Sequence, residues 1–298
     1  MKEPVQLRSG SGGDVTSVGS SEAPTRGVAR RALKRAVLLS TLIARRRPGD
    51  LVILLYHRIG GDGSRPNIPA GAFESQLGSL LRHDRIPSLD DALADRRGGV
   101  VISIDDGYRD LYDHALPLLA RYQVPAVLYL ATGLVADGEP VGIDRKEALS
   151  WSQLREAVAT GLVTVGAHTH SHANMAHLPE SAVQEELTRS KGLIEDNLGV
   201  ACRHFAYPYG DVSPAAERAV RGIFDSAALA SGTNRAGRID RYRLGRTHVD
   251  RGDDWLSFRA KSIGRPLTES WMYRAFSARP FYRGKNDGYT SSTHRDSR

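Results

Sequence analysis

From residue 50 onward, short apolar runs alternate with longer stretches whose apolar positions recur at helical spacing. The runs are 51–56 (LVILLY), 100–104 (VVISI), 125–130 (PAVLYL), 162–167 (LVTVGA), 204–207 (HFAY), 224–230 (FDSAALA) and 243–249 (RLGRTHV). Residues 71–83, 109–122, 151–160, 179–198 and 213–222 predict the intervening helices, with a last one near 254–264. Continuous apolar strands alternating with helices are the pattern of a parallel sheet covered on its faces. About seven such strands predict an α/β fold, a distorted (β/α)7-type barrel with outer helices, whose chemistry would gather at the strand C-terminal ends.

The flanks read differently. Residues 1–27 are rich in Gly and Ser and predict a disordered tail. Residues 28–48 predict a basic amphipathic helix, with Val37, Leu38, Leu39, Leu42 and Ile43 between clusters of arginine. Its uncharged run, 36–44, falls short of the roughly 20 apolar residues a membrane span needs. Two roles stay open for residues 28–47: packing on the domain, or lying on an anionic membrane surface. A cleaved signal is disfavoured, because RRRP stands where a small-residue cleavage site belongs. The expected location is therefore cytoplasmic or membrane-peripheral, with export by a non-standard signal left open. The barrel is expected over 49–268, followed by a basic tail over 269–298.

A net charge of +7 suggests nucleic acid until its distribution is read. Residues 26–49 hold eight Lys and Arg with no acid, and residues 271–298 contribute a further +4. The central stretch, 50–270, comes to −4. A nucleic-acid-binding core is therefore excluded as the leading reading. Cys202, the one cysteine, rules out an intrachain disulfide and any cysteine-cluster metal site. It reads as a small buried side chain.

Polar residues cluster where the strands end. The first run ends at His57, the second at Asp105 and Asp106, and the fourth at His168, His170 and His172. The fifth runs into Tyr207, Tyr209 and Gly210, and the last carries Arg246 and His248. His168 and His172 are four apart, which brings two imidazoles together on one helical turn or across a tight loop. With a carboxylate from another strand they make a three-ligand set with an open position, as catalytic zinc or a similar divalent metal requires. Such a cation also offsets the repulsion between adjacent Asp105 and Asp106, leaving one carboxylate free as a base. His170 and His177 read as structural and surface residues.

SIDDGYRD, HTHSH and FAYPYG resemble three signature motifs of the polysaccharide deacetylase family, the NodB-homology or carbohydrate esterase 4 group. YHRI near the start resembles the form found in many bacterial members. The likeness spans roughly residues 50–250. It implies Asp105 as catalytic base and Asp106, His168 and His172 as metal ligands. It also implies a divalent metal, most often zinc with cobalt or nickel as alternatives, and removal of N-acetyl or other acyl groups from a sugar. PYG at 208–210 would line the pocket, with the Tyr209 backbone N–H helping to hold the oxyanion.

Two departures from the family pattern matter. Where the third motif commonly carries an arginine that pairs with the base, this chain has Ala206. The usual last motif, whose histidine often serves as general acid, is not found. Arg246 is the candidate for the missing cation. His57 is the first candidate for the acid and His248 the second. GDDW (252–255) echoes a family motif out of register, and Asp253 reads as a helix N-cap. The expected partner is an N-acylated carbohydrate. A catalytically weak carbohydrate-binding relative is the alternative.

Overall fold

The computed structural model describes residues 45–60, 67–135 and 148–265. The predicted N-terminal tail, most of the basic helix and the C-terminal tail lie outside these residues.

Seven parallel strands form one sheet: β1 (Leu51–Tyr56), β4 (Gly99–Asp106), β5 (Ala126–Leu130), β6 (Val163–Ala167), β7 (His204–Ala206), β8 (Ser226–Ala228) and β9 (Thr247–His248). Their order across the sheet is β8-β7-β6-β5-β4-β1-β9. Two residues of β2 (Arg58–Ile59) and two of β3 (Asn67–Ile68) add a small separate parallel pair.

The segment before and within β9 seams the sheet into a barrel. Thr247 and His248 pair with Leu54 and Leu55 of β1. On the other side Leu244 bridges to Ala228, and the Leu229 N–H donates to the Leu244 carbonyl at 2.8 Å.

Side chains alternate between the two faces with period two. Leu51 and Ile53 of β1, Val101 of β4, Val127 and Tyr129 of β5, Ala206, Ala228 and Leu244 fill the barrel interior. Their neighbours Val52, Leu54, Tyr56, Val100, Ile102, Ile104, Leu128, Leu130, Phe205 and Tyr207 pack outward against the helices. Tyr207 therefore faces the outer layer rather than the pocket, a correction to the sequence reading. The same parity keeps Asp105 inside.

Seven α-helices are described. They are α1 (Ala70–His83), α2 (Leu89–Asp95), α3 (Leu116–Tyr122), α4 (Trp151–Ala159), α5 (Glu180–Leu198), α6 (Pro214–Ile223) and α7 (Trp255–Ser262). The predicted helix over 109–122 opens with a π turn, Leu111–Ala115, before α3.

The hydrophobic pattern did not announce α2. It has only two turns, and its apolar positions Leu89, Ala92 and Leu93 stand among charged residues. They pack with Leu51, Ile53 and Val101, so α2 forms the floor of the barrel. Ser88 caps it by accepting from the Asp91 N–H at 3.1 Å. Among the described residues no helix is long and apolar enough to cross a membrane.

Candidate active site

Consecutive strand residues point to opposite faces, so adjacent Asp105 and Asp106 should not reach one pocket. Asp106 escapes that rule with φ 75°, a left-handed backbone that turns its carboxylate back over the strand end. Gly107 continues the turn at φ 102°, where a Cβ would come within 2.4 Å of Leu130 Cδ1.

After β6, Thr169 and His172 also take positive φ, 63° and 59°, so HTHSH is a tight loop rather than a helical turn. Tyr209 makes a fourth at 61°. Of six non-glycine residues with positive φ among the described residues, four lie at this site. Strain of this kind costs on the order of 1–3 kcal/mol per residue and persists where surrounding contacts enforce it.

The result is a three-ligand cluster. Ligand atoms of Asp106, His168 and His172 lie within 4.8 Å of one another. His172 Nε2 is 3.3 Å and His168 Nε2 3.8 Å from Asp106 Oδ1. His168 Nδ1 lies 2.7 Å from the Ala206 carbonyl, which can only accept. That nitrogen therefore carries the proton, and Nε2 presents its lone pair to the cluster. Burial lowers the His168 pKa to about 4, so the ring is neutral.

Burial alone would raise the pKa of Asp106. The His172 imidazole 3.3 Å away, with the nearby His168 and His57, outweighs it and lowers the value to about 2. Asp106 Oδ1 is nonetheless buried without a well-formed hydrogen bond. An ionised carboxylate with an orphaned oxygen facing two imidazole nitrogens fits a divalent cation.

Asp105 is held differently. The Arg246 guanidinium grips it through two parallel bonds, Nη1–Oδ1 at 2.6 Å and Nη2–Oδ2 at 2.8 Å, with both side chains almost wholly buried. Arg246 is itself positioned by donating from Nε to the Leu229 carbonyl at 2.7 Å and by lying 5.2 Å above the Tyr129 ring. Burial pushes the Asp105 pKa up, but Arg246 first, then His168, pull it below the usual carboxylate range. Asp105 Oδ2 lies 3.7 Å from His168 Nε2, as near as Asp106 Oδ1, but both Asp105 oxygens are taken up by Arg246.

His57 and His248 stack across the mouth, ring centroids 5.2 Å apart and planes at 20°. Desolvation, then His57, lowers the His248 pKa to about 4. The residue keeps an exposed edge, and the direction of the shift leaves it neutral at neutral pH.

Residues 93–223 match the sequence profile of the polysaccharide deacetylase family. Over that stretch the chain resembles the polysaccharide deacetylases. It is 28% identical over 159 residues to the poly-beta-1,6-N-acetyl-D-glucosamine N-deacetylase of Staphylococcus aureus strain MRSA252, covering 48% of this chain and 54% of that protein. The chain thus spans about half the length of this curated relative. Among solved structures it resembles IcaB from Ammonifex degensii, with a TM-score of 0.62, 28% identity, and coverage of 72% of this chain and 97% of that one. It also shares the fold of the Streptococcus pyogenes deacetylase PplD, with a TM-score of 0.64, 20% identity, and coverage of 72% and 99%.

Position 206, where the family pattern commonly has an arginine, is a fully buried alanine in the barrel interior. Ala206 and Ala228 pack in the interior cluster with Tyr129, beneath Arg246. The cation beside Asp105 arrives instead from the seam segment, with β8 between it and β7. Of the remaining expected residues, Tyr209 is exposed at the rim with its hydroxyl 3.3 Å from His172 Nδ1. His170 turns away and meets Thr132 Oγ1 at 3.0 Å, as expected of a structural residue. Asp253 is not the N-cap. Asp254 caps α7 by accepting from the Ser257 N–H, while Asp253 accepts from the Asp250 N–H and Lys261. The register is one residue later than the sequence reading because Asp253 is engaged in that loop.

Sequence reasoning missed Glu186, thirteen or more residues from any motif. From α5 its carboxylate accepts the His170 N–H at 2.7 Å, the Ser171 N–H at 2.8 Å and the Ser171 hydroxyl at 2.7 Å. These bonds clamp the loop between its two left-handed residues. Glu186→Ala is expected to weaken divalent-metal affinity about 10–100-fold, the range for groups that orient ligands. Competition against a chromogenic chelator measures this. Glu186→Gln keeps an accepting oxygen and should retain part of the affinity; equal affinity in all three proteins would remove the clamp from the account.

Proposed function

We propose that this domain is a metal-dependent hydrolase that removes N-acetyl, or related acyl, groups from an N-acylated sugar in a polymer or precursor. The observation that carries the reading is one juxtaposition. A buried carboxylate ionised by Arg246 stands 3.7 Å from an imidazole of a separate Asp, His, His ligand set.

Asp106, His168 and His172 would hold the cation. Zinc is the first choice for a two-imidazole, one-carboxylate set, and cobalt or nickel suits the same donors. When bound, such an ion acidifies water and polarises an acyl oxygen. Asp105 takes the proton of the attacking water as its oxygen adds to the acyl carbon. Arg246 keeps Asp105 charged and fixed in direction until that moment. The Tyr209 backbone N–H is assigned to the developing oxyanion, a contribution of roughly 3–4 kcal/mol for one well-aimed donor. As the C–N bond breaks, a proton must reach the leaving nitrogen, and His57 is assigned to deliver it; His248, the second candidate from the sequence, is held neutral and is the poorer donor. The products are a carboxylate and a free amine.

Likeness to the Staphylococcus aureus enzyme favours a poly-N-acetylglucosamine substrate. Release of acetate from β-1,6-linked N-acetylglucosamine oligomers by zinc- or cobalt-loaded protein tests the reading. Sugar binding without turnover across a panel of N-acyl sugars would support the non-catalytic alternative instead.

The ligand set has its own test. The purified chain is expected to hold one divalent ion, and His168→Ala and His172→Ala are each expected to lose it. Elemental analysis decides, and an unchanged metal content in both variants would sink the assignment.

A further inference from the structure

The chemistry above occupies only the end of the barrel where strands finish. At the end where they begin, Arg47, Arg235 and Arg238 line an open hollow of about 380 Å³ with Pro48, Asp50 and Ala236. Its carboxylate is already engaged. Asp50 accepts from Arg235 Nη1 at 2.7 Å and from the Ala236 N–H at 2.9 Å.

Arg47, Arg96 and Arg238 are exposed, and none forms an ion pair among the described residues. Arg96 belongs to the same end. It terminates the floor helix α2, and its carbonyl lies 3.8 Å from where a Cβ would stand on Gly49. Arg97 follows it, 76% exposed although paired with Asp95. In sequence, the stretch 26–49 that carries eight basic residues and no acid runs directly into Arg47. Residues 50–270 carry −4 in total, so these arginines mark one end of an otherwise acidic domain.

We propose that this strand-starting end docks on the phosphate-bearing face of an anionic phospholipid bilayer, with the catalytic mouth pointing away from the lipid. Guanidinium forks match phosphate oxygens in geometry as well as charge. The patch is broad and open, and among the described residues the exposed large apolar side chains are Leu81, Tyr209 and Trp255, none of which lines the hollow. It is therefore built for headgroup contact rather than insertion. The acidic balance of the rest of the domain argues against a nucleic-acid partner, whose backbone would run beyond the patch. Six residues of β1 separate Asp50 from His57, which sets the mouth about 20 Å above the lipid phosphates. The proposal does not depend on which reaction the mouth performs.

Sedimentation of the full chain with vesicles tests it without any activity measurement. Vesicles of phosphatidylcholine with about 30% phosphatidylglycerol should capture the protein in low salt, and pure phosphatidylcholine should not. The triple variant Arg47→Gln, Arg96→Gln, Arg238→Gln is expected to partition about 100-fold more weakly, since each arginine at the surface is worth roughly a factor of five. The control Arg189→Gln, Arg218→Gln removes exposed arginines from α5 and α6 and should change partitioning by less than about threefold. Undiminished capture of the triple variant, an equal loss in the control, or equal capture by neutral vesicles would each overturn the proposal. So would retention on duplex DNA at the same salt that matches retention on the vesicles.

Discussion

Asp105→Asn is expected to lower turnover by roughly three orders of magnitude, within the 10²–10⁴ range of a lost general base, while divalent metal still binds. The reason is the division of labour between adjacent carboxylates. Asp106 faces the imidazoles and keeps an unbonded oxygen toward them, whereas Asp105 is claimed by Arg246. The amide matches the carboxylate in shape but cannot take a proton. It also leaves the buried Arg246 without its counter-charge, so thermal unfolding must be followed alongside acetate release. The decisive outcome is a folded, metal-replete variant with turnover near the parental rate, which would remove Asp105 from the chemistry.

Arg246→Met should act on both stability and pH dependence, in a manner that separates the two. Removing one partner of a fully buried ion pair costs about 3–5 kcal/mol. For a domain of this size that lowers the Tm by roughly 10 °C. In the parent, Arg246 holds the Asp105 pKa below its unfolded value. That arrangement contributes stability above the unfolded carboxylate pKa and loses it as the pH falls through the folded one. Without Arg246, burial pushes the Asp105 pKa up instead. The variant should therefore lose stability relative to the parent as pH rises, and the deficit should narrow in acid where Asp105 is protonated. The acid limb of its pH–rate profile should move to higher pH. A deficit independent of pH would mean that Arg246 is only a packing element, and an unmoved acid limb would detach it from the base.

Much of this was legible in the sequence because two periodicities carry it. The apolar runs located all seven strands of the barrel, and the polar residues at their ends marked Asp105 and Asp106 as candidates. What parity could not foretell is that Asp106, next in line, would join Asp105. That depends on a left-handed backbone at a non-glycine residue, which no local pattern announces. Arg246 was found as a candidate by elimination, from the alanine at position 206, but its bidentate grip depends on a barrel that brings together residues 141 positions apart. Glu186 escaped notice because a surface-patterned helix with one more acid looks like a solvated face. The floor helix α2 escaped because two turns give too few positions for a period to emerge.

Every metal-ligating candidate lies between positions 106 and 172, on strands that a growing chain completes early, whereas the guanidinium that charges the base arrives on the final strand. Contacts of such long sequence separation form late and at the greatest loop-closure cost. A chain that stops short of residue 246, or whose last strand has come undocked, lacks the partner that keeps Asp105 charged. On the proposed reading, cation binding and hydrolysis would then be separable stages, the second waiting on closure of the cylinder.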